Sequence, residues 1–206
     1  LSILFVDSTY DITLGILDDD FSWQHFQHFT GKKASTILQK EAFTLLKNNN
    51  LKAIDLKAVI SVAGPGFYTG LRLSEGLADV FEFFGIPHYS FYSYDLPKWC
   101  GVEEGSWLTK AYRGEYFFHH WNKDETRNVL VTTLELEAKL GDVKKLFIHT
   151  ESAMDKHSLD LTKDFSMSYD LLKKYPREIF ERLVICKMKQ DSYYFRAPED
   201  EFRVSV

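Results

Sequence analysis

The 206-residue chain has only two cysteines, Cys100 and Cys186, and no CxxC pair. Two thiols so far apart make no disulfide framework, and they read as free cysteines in a reducing compartment. No stretch approaches the roughly 20 apolar residues of a membrane helix, so no membrane association is expected. The opening LSILFVDST has no basic n-region and no small-residue cleavage site. No secretory signal is therefore expected, and the chain is read as cytoplasmic. Excess positive charge is also missing: 25 Lys and Arg stand against 30 Asp and Glu, a net charge of −5. That disfavours a protein that binds nucleic acid by itself, which needs a basic footprint. Of the seven histidines, no two lie at the i, i+4 spacing that sets two imidazoles on one helix face, so no metal site is expected. No repeat of fixed period and no low-complexity tract interrupts the chain.

What remains is ordinary globular material, with 45% hydrophobic and 27% charged residues. A chain this long buries roughly 70% of its unfolded surface without staples. Ile3 to Val6 is a short apolar run ending at Asp7-Ser8-Thr9, which reads as a central strand with a polar end. A second strand covers Ile12 to Leu17. Phe21 and Trp23 begin a third, whose phase slips at Phe26 in the manner of a bulge. The periodicity predicts a helix over Ala34 to Asn48, with Ala34, Ile37, Leu38, Ala42, Leu45 and Leu46 on one arc. LKAVISVA, Leu56 to Ala63, reads as a buried parallel strand. A glycine-rich loop, a helix from Thr69 to Phe84 and a strand from Pro87 to Phe91 complete the half. The order βββαβαβ resembles a lobe of the actin-like ATPase and sugar-kinase superfold. It predicts an α/β protein with a first lobe over 1–98 and a smaller second lobe over 99–206.

The second half is less regular. Trp107 to Ala111 and Glu115 to Trp121 predict a hairpin around Arg113-Gly114. Val129 to Thr132, Leu146 to His149 and Leu183 to Lys187 predict further strands. Glu135 to Leu140 and Asp170 to Arg182 predict helices.

Three features carry chemical interest. Gly64, Gly66 and Gly70 punctuate a loop between a strand and a helix N-terminus, where free N–H groups and Thr69 could hold an anion. The loop is neither a Walker A motif nor GxGxxG, and a tight turn is the plainer reading. Asp7, Ser8 and Thr9 end the first strand, where actin-like ATPases keep an aspartate that helps hold Mg²⁺. The phosphate-facing glycine turn of such enzymes is absent after Asp7, and a polar strand end is the plainer reading. On the Thr69–Phe84 helix, Leu73, Leu77, Val80, Phe81 and Phe84 share an arc with Gly76 at its edge. That arc is either core or a partner interface.

Four segments then appear in an order that resembles the TsaB (YeaZ) family. ILFVDSTYDITLGIL is similar to its opening hairpin, and AVISVAGPGFYTGLRLSEGLA to its GPGSFTGLR signature and following helix. KAYRGEYFF and SYYFRAP are similar to two later family segments. Phe67-Tyr68 departs from the family's Ser-Phe, and Lys33-Ala34-Ser35 stands where a His-Ser pair is usual. The chain also ends soon after Tyr193–Arg196, where members often add a helix.

The resemblance implies a two-lobed actin-like fold and a subunit with no catalytic residue and no intrinsic cofactor. It implies pairing with a TsaD-type subunit, which transfers a threonylcarbamoyl group to the position-37 adenosine of tRNA. A TsaE-type ATPase joins that assembly, and tRNA is met only through it. Ile37, Leu38, Leu45, Leu73, Gly76, Leu77, Val80, Phe81 and Phe84 would then face TsaD or a second copy. Asp7, Ser8, Thr9, Gly64, Gly66, Thr69 and Gly70 would form a weak nucleotide or anion site at most. The alternative is a small actin-like-fold enzyme that binds and hydrolyses ATP.

Overall fold

A computed structural model describes residues 2–112, 114–141, 143–150 and 165–195. Arg113 and Arg196, each in a segment that carries the resemblance, lie outside them. The chain opens with β1 (Ser2–Asp7), β2 (Ile12–Leu17), β3 (Trp23–Phe29), α1 (Ala34–Asn48), β4 (Leu56–Gly64), α2 (Tyr68–Phe83), β5 (His88–Tyr92) and the short α3 (Leu96–Trp99). It continues with β6 (Gly105–Lys110), β7 (Glu115–Trp121), β8 (Thr126–Thr132), α4 (Thr133–Leu140), β9 (Leu146–Ile148), β10 (Phe165–Met167), α5 (Ser168–Lys174) and α6 (Pro176–Ile185).

The first sheet runs β3-β2-β1-β4-β5. The β1–β2 and β2–β3 pairs are antiparallel, and β4 is parallel to both β1 and β5. Successive strand residues point to opposite faces, so β1 supplies two cores. Leu4 and Val6 meet Leu38, Ala42, Leu45, Leu77 and Phe81 of α1 and α2. Ile3 and Phe5 face the other way, onto Tyr169, Leu172, Ile179, Phe180 and Leu183 of α5 and α6. Burying each such side chain contributes roughly 1.5–3 kcal/mol.

The boundary expected between residues 98 and 99 falls inside α3, and α5 and α6 return from the second half to cover the first sheet. Two expected elements are corrected here. Leu183 to Lys187 is no strand: α6 runs to Ile185, and its buried Ile179, Phe180 and Leu183 follow helical spacing. The single helix expected over Asp170 to Arg182 is broken, because Pro176 has no N–H to continue α5 and instead starts α6. Phe21 sits at φ 59° in the turn before β3 rather than in the strand. The expected irregularity is present nearby, where Ile16 pairs with His25 but Leu17 with Trp23.

The second sheet runs β10-β9-β6-β7-β8. α4 covers one face through Leu136 and Leu140, and Thr132 and Glu135 close a reciprocal capping box at its start. The other face is aromatic, with Tyr94, Trp107, Phe117 and Trp121. His119 is buried within it, its ring stacked 4.2 Å from Tyr94. Burial, against the opposing hydrogen bond that His119 Nδ1–H donates to Asn128 Oδ1, pushes the His119 imidazole down to about 4. The folded state therefore resists a proton that the unfolded chain accepts near its ordinary 6.5. By linkage, His119 contributes no penalty above that value and a growing one as pH falls towards about 4. Replacing His119 by Phe removes this penalty. Relative to the parent, the variant should gain ~3 kcal/mol between neutral pH and pH ~4, read by denaturant unfolding at both.

Candidate functional site

The ends of β1 and β9 meet between the two sheets. Each is an apolar run closed by a titratable residue and a hydroxyl: Phe5-Val6-Asp7-Ser8-Thr9 and Phe147-Ile148-His149-Thr150. All of the polar side chains among them are buried: Asp7, Ser8, Thr9, His149 and Thr150. Asp7 Oδ1 accepts the Thr9 N–H at 2.9 Å and the Thr9 hydroxyl at 2.7 Å. The Thr9 oxygen is then left to accept from His149 Nε2, 2.8 Å away. His149 Nε2 also lies 3.6 Å from Asp7 Oδ2. Burial pushes the His149 imidazole down, outweighing the pull of Asp7 and Asp11 upward, so the contact is a neutral hydrogen-bonded latch rather than an ion pair. Tyr169 packs on the His149 ring at 5.9 Å, and burial drives its phenol well above the ordinary range. Asp11 and His28 approach to 3.6 Å at the edge of this cluster, where Thr13 bonds His28 at 2.9 Å.

The Gly64–Gly70 loop closes over the same turn. The Gly66 N–H donates to the Tyr193 carbonyl at 3.2 Å, and the Phe67 N–H to the Thr9 carbonyl at 3.0 Å. Ser8 donates to the Gly70 carbonyl at 2.7 Å and pairs with the Ser74 hydroxyl. A Cβ on Gly70 would lie 1.8 Å from the Ser8 carbonyl oxygen, and one on Gly66 would lie 2.7 Å from that of Thr9. Gly64 has φ +124°, with the Tyr193 carbonyl 2.5 Å from a would-be Cβ. These glycines answer to protein backbone crossing at close range.

The structure thus brings Asp7, Ser8, Thr9, Gly64, Gly66 and Gly70 together, while Thr69 stands exposed on the outer side of α2. His149 was not singled out by sequence. It lies 140 residues from Thr9, and only the likeness of the two strand endings signals it. Among the described residues no group of three or more His, Cys, Asp or Glu could hold a metal ion. No helix among them is long and apolar enough to cross a membrane.

The candidate interface divides. Leu38, Leu45, Leu77 and Phe81 are buried against the first sheet, so they hold α1 and α2 in place and cannot meet a partner. Ile37 and Leu73 are half-buried, while Gly76, Val80 and Phe84 are exposed. Leu73, Gly76, Val80 and Phe84 lie three, four and four residues apart and form one stripe beside the buried one. Phe83, 85% exposed, and Phe43, 49% exposed, flank it. Phe83 is expected beside the stripe from the sequence, whereas Phe43 is not, because a helical wheel places it near Lys40 and Lys47.

Two mixed sheets with helices, their polar strand ends in contact through Thr9 and His149, form an actin-like ATPase fold. The version of that fold is the one seen in YeaZ. The solved structure of YeaZ from Pseudomonas aeruginosa matches with a TM-score of 0.63 at 13% identity, over 93% of this chain and 97% of that one. A crystal structure of an uncharacterized protein with similarity to peptidase YEAZ from Pseudomonas aeruginosa matches with a TM-score of 0.56 at 14% identity, over 83% of this chain and 88% of that one. No family model and no curated protein sequence matches the chain.

Proposed function

We propose that the chain is a TsaB-type subunit that docks a TsaD-type catalytic partner, or a second copy of itself, through the outer stripe of α1 and α2. It works as a scaffold within a tRNA threonylcarbamoyladenosine assembly, in which a TsaE-type ATPase also takes part. It makes no bond itself and needs no resident cofactor. The observation that carries this reading is the exposed apolar group Phe43, Val80, Phe83 and Phe84, set on a first lobe with the YeaZ fold. A cluster of large apolar side chains at the surface marks an interaction site far better than scattered single ones. Gly76 adds a flat place on the stripe, since nothing lies within 4 Å of where its Cβ would be.

The ATP-hydrolysing alternative receives less support. The Asp7 carboxylate already takes two hydrogen bonds from Thr9, and the loop amides of Gly66 and Phe67 point into protein carbonyls. The first test is size exclusion of the chain mixed at micromolar concentration with the TsaD-type protein of its own organism. Co-elution is expected. Two separate peaks from that mixture, together with a monomeric parent chain, would remove the reading.

A further inference from the structure

A cavity of about 200 Å³ opens over the β7–β8 hairpin beside the last turn of α4, on the second sheet and away from both the latch and the α1–α2 stripe. Its floor follows from strand register. Phe118 of β7 pairs with Val129 of β8, and His120 pairs with Arg127 two residues nearer the turn, so all four side chains point to the face that α4 covers. Val143 completes the apolar end; it is 7% exposed and Phe118 5%. Half-buried Lys139, in the last turn of α4, and exposed Glu125, at the hairpin turn, complete the lining. The cavity is therefore apolar at one end and charged at the other. The two rows lie about 7 Å apart, two residues at the rise of an antiparallel strand.

The charged end favours an anion. Arg127 and Lys139 make no ion-pair contact with any described residue. Glu135 attracts Lys139 along the helix, but its carboxylate already accepts from the Thr132 N–H and hydroxyl, both at 2.8 Å. His120 Nδ1 lies 3.0 Å from the Ser106 hydroxyl, while Nε2 is not buried and makes no hydrogen bond among the described residues. With the hydroxyl donating to Nδ1, Nε2 carries the proton and is a donor. Two cations against the single carboxylate of Glu125 leave a surplus of one positive charge, in a chain whose net charge is −5. Low-dielectric walls beside such charges focus their field on an incoming anion. Glu125 disfavours a dianion such as phosphate, and the Phe118–Val129 floor adds binding only for a ligand with an apolar body. The cavity is smaller than the ~300–1,000 Å³ of drug-sized sites, so the ligand is small.

We infer that this cavity binds a small monocarboxylate with an apolar body, a short arylalkanoate in chemical class. Its carboxylate accepts from the Arg127 guanidinium, the Lys139 ammonium and His120 Nε2–H, and its apolar body lies on Phe118, Val129 and Val143. The inference is independent of the docking role, and either can fail without the other. The test follows the Val129 and Val143 methyl signals by NMR in the full chain while hydrocinnamate is added. Hydrocinnamyl alcohol, acetate and inorganic phosphate serve as controls that lack the charge, the apolar body or both the single charge and the body. Hydrocinnamate should give saturable shifts in the millimolar range, and each control should bind ~tenfold more weakly or not at all. Arg127→Gln and Lys139→Gln, each checked for folding by circular dichroism, should weaken hydrocinnamate binding ~fivefold at low salt. No saturable shift, equal binding by any control, or unchanged affinity in either folded variant would each overturn it.

Discussion

Gly70→Ala should destabilise the chain by ~3 kcal/mol, while Gly76→Ala, six residues on in the same helix, should stabilise it by ~1 kcal/mol. Alanine is the better helix former at both positions, so propensity alone predicts two gains. The sign at Gly70 is reversed by contact. Its added carbon would lie 1.8 Å from the Ser8 carbonyl oxygen, which is backbone and cannot swing aside. Relief requires α2 to move off the β1–β2 turn, and that move would also break the bonds that Ser8 makes to Gly70 and Ser74. At Gly76 nothing lies within 4 Å, so the helix simply gains an alanine. Urea unfolding of the two variants reads both effects, and a destabilised Gly76→Ala or a neutral Gly70→Ala would contradict the packing described. Under the proposed docking, Gly76→Ala carries a second signature: a more stable monomer that pairs less well.

Leu77→Asp and Val80→Asp, three residues apart on α2, should separate folding from docking. Leu77 is 2% exposed within the core that joins α1 and α2 to the sheet. An uncompensated carboxylate there should cost ~4 kcal/mol or more, a large part of the ~5–15 kcal/mol that holds a typical domain together. Val80 is 49% exposed. An aspartate there stays in water, and the change in stability should remain within ~0.5 kcal/mol. Thermal unfolding and circular dichroism distinguish the two. A folded, stable Leu77→Asp would mean that the burial assigned to this face is wrong.

The centre of the first sheet was legible in sequence because β1 and β4 are buried on both faces and read as near-continuous apolar runs, Leu56 to Ala63 most plainly. α1 and α2 were legible for the same reason in helical period. The division of their apolar arc was not. A wheel shows which residues share a side, but the sheet covers only part of that side. Leu77 and Phe81 went under it while Val80 and Phe84 stayed out. α6 was misread at its end because Leu183-Val184-Ile185 is as apolar and branched as a strand, and only its packing on Phe5 and its neighbours selects the helix. The loop glycines were visible, yet their reason was not, since the crossing backbones come from Ser8, Thr9 and Tyr193. The His149 latch lay beyond any spacing rule.

The central claim is that the exposed stripe of α2 docks a related subunit, and calorimetry on the parent, Val80→Asp and Phe84→Asp tests it most directly. Titrated with the TsaD-type protein, the parent should bind at micromolar affinity or tighter, and each folded variant should lose about a hundredfold. Equal affinity across all three, with every sample folded, would contradict the account.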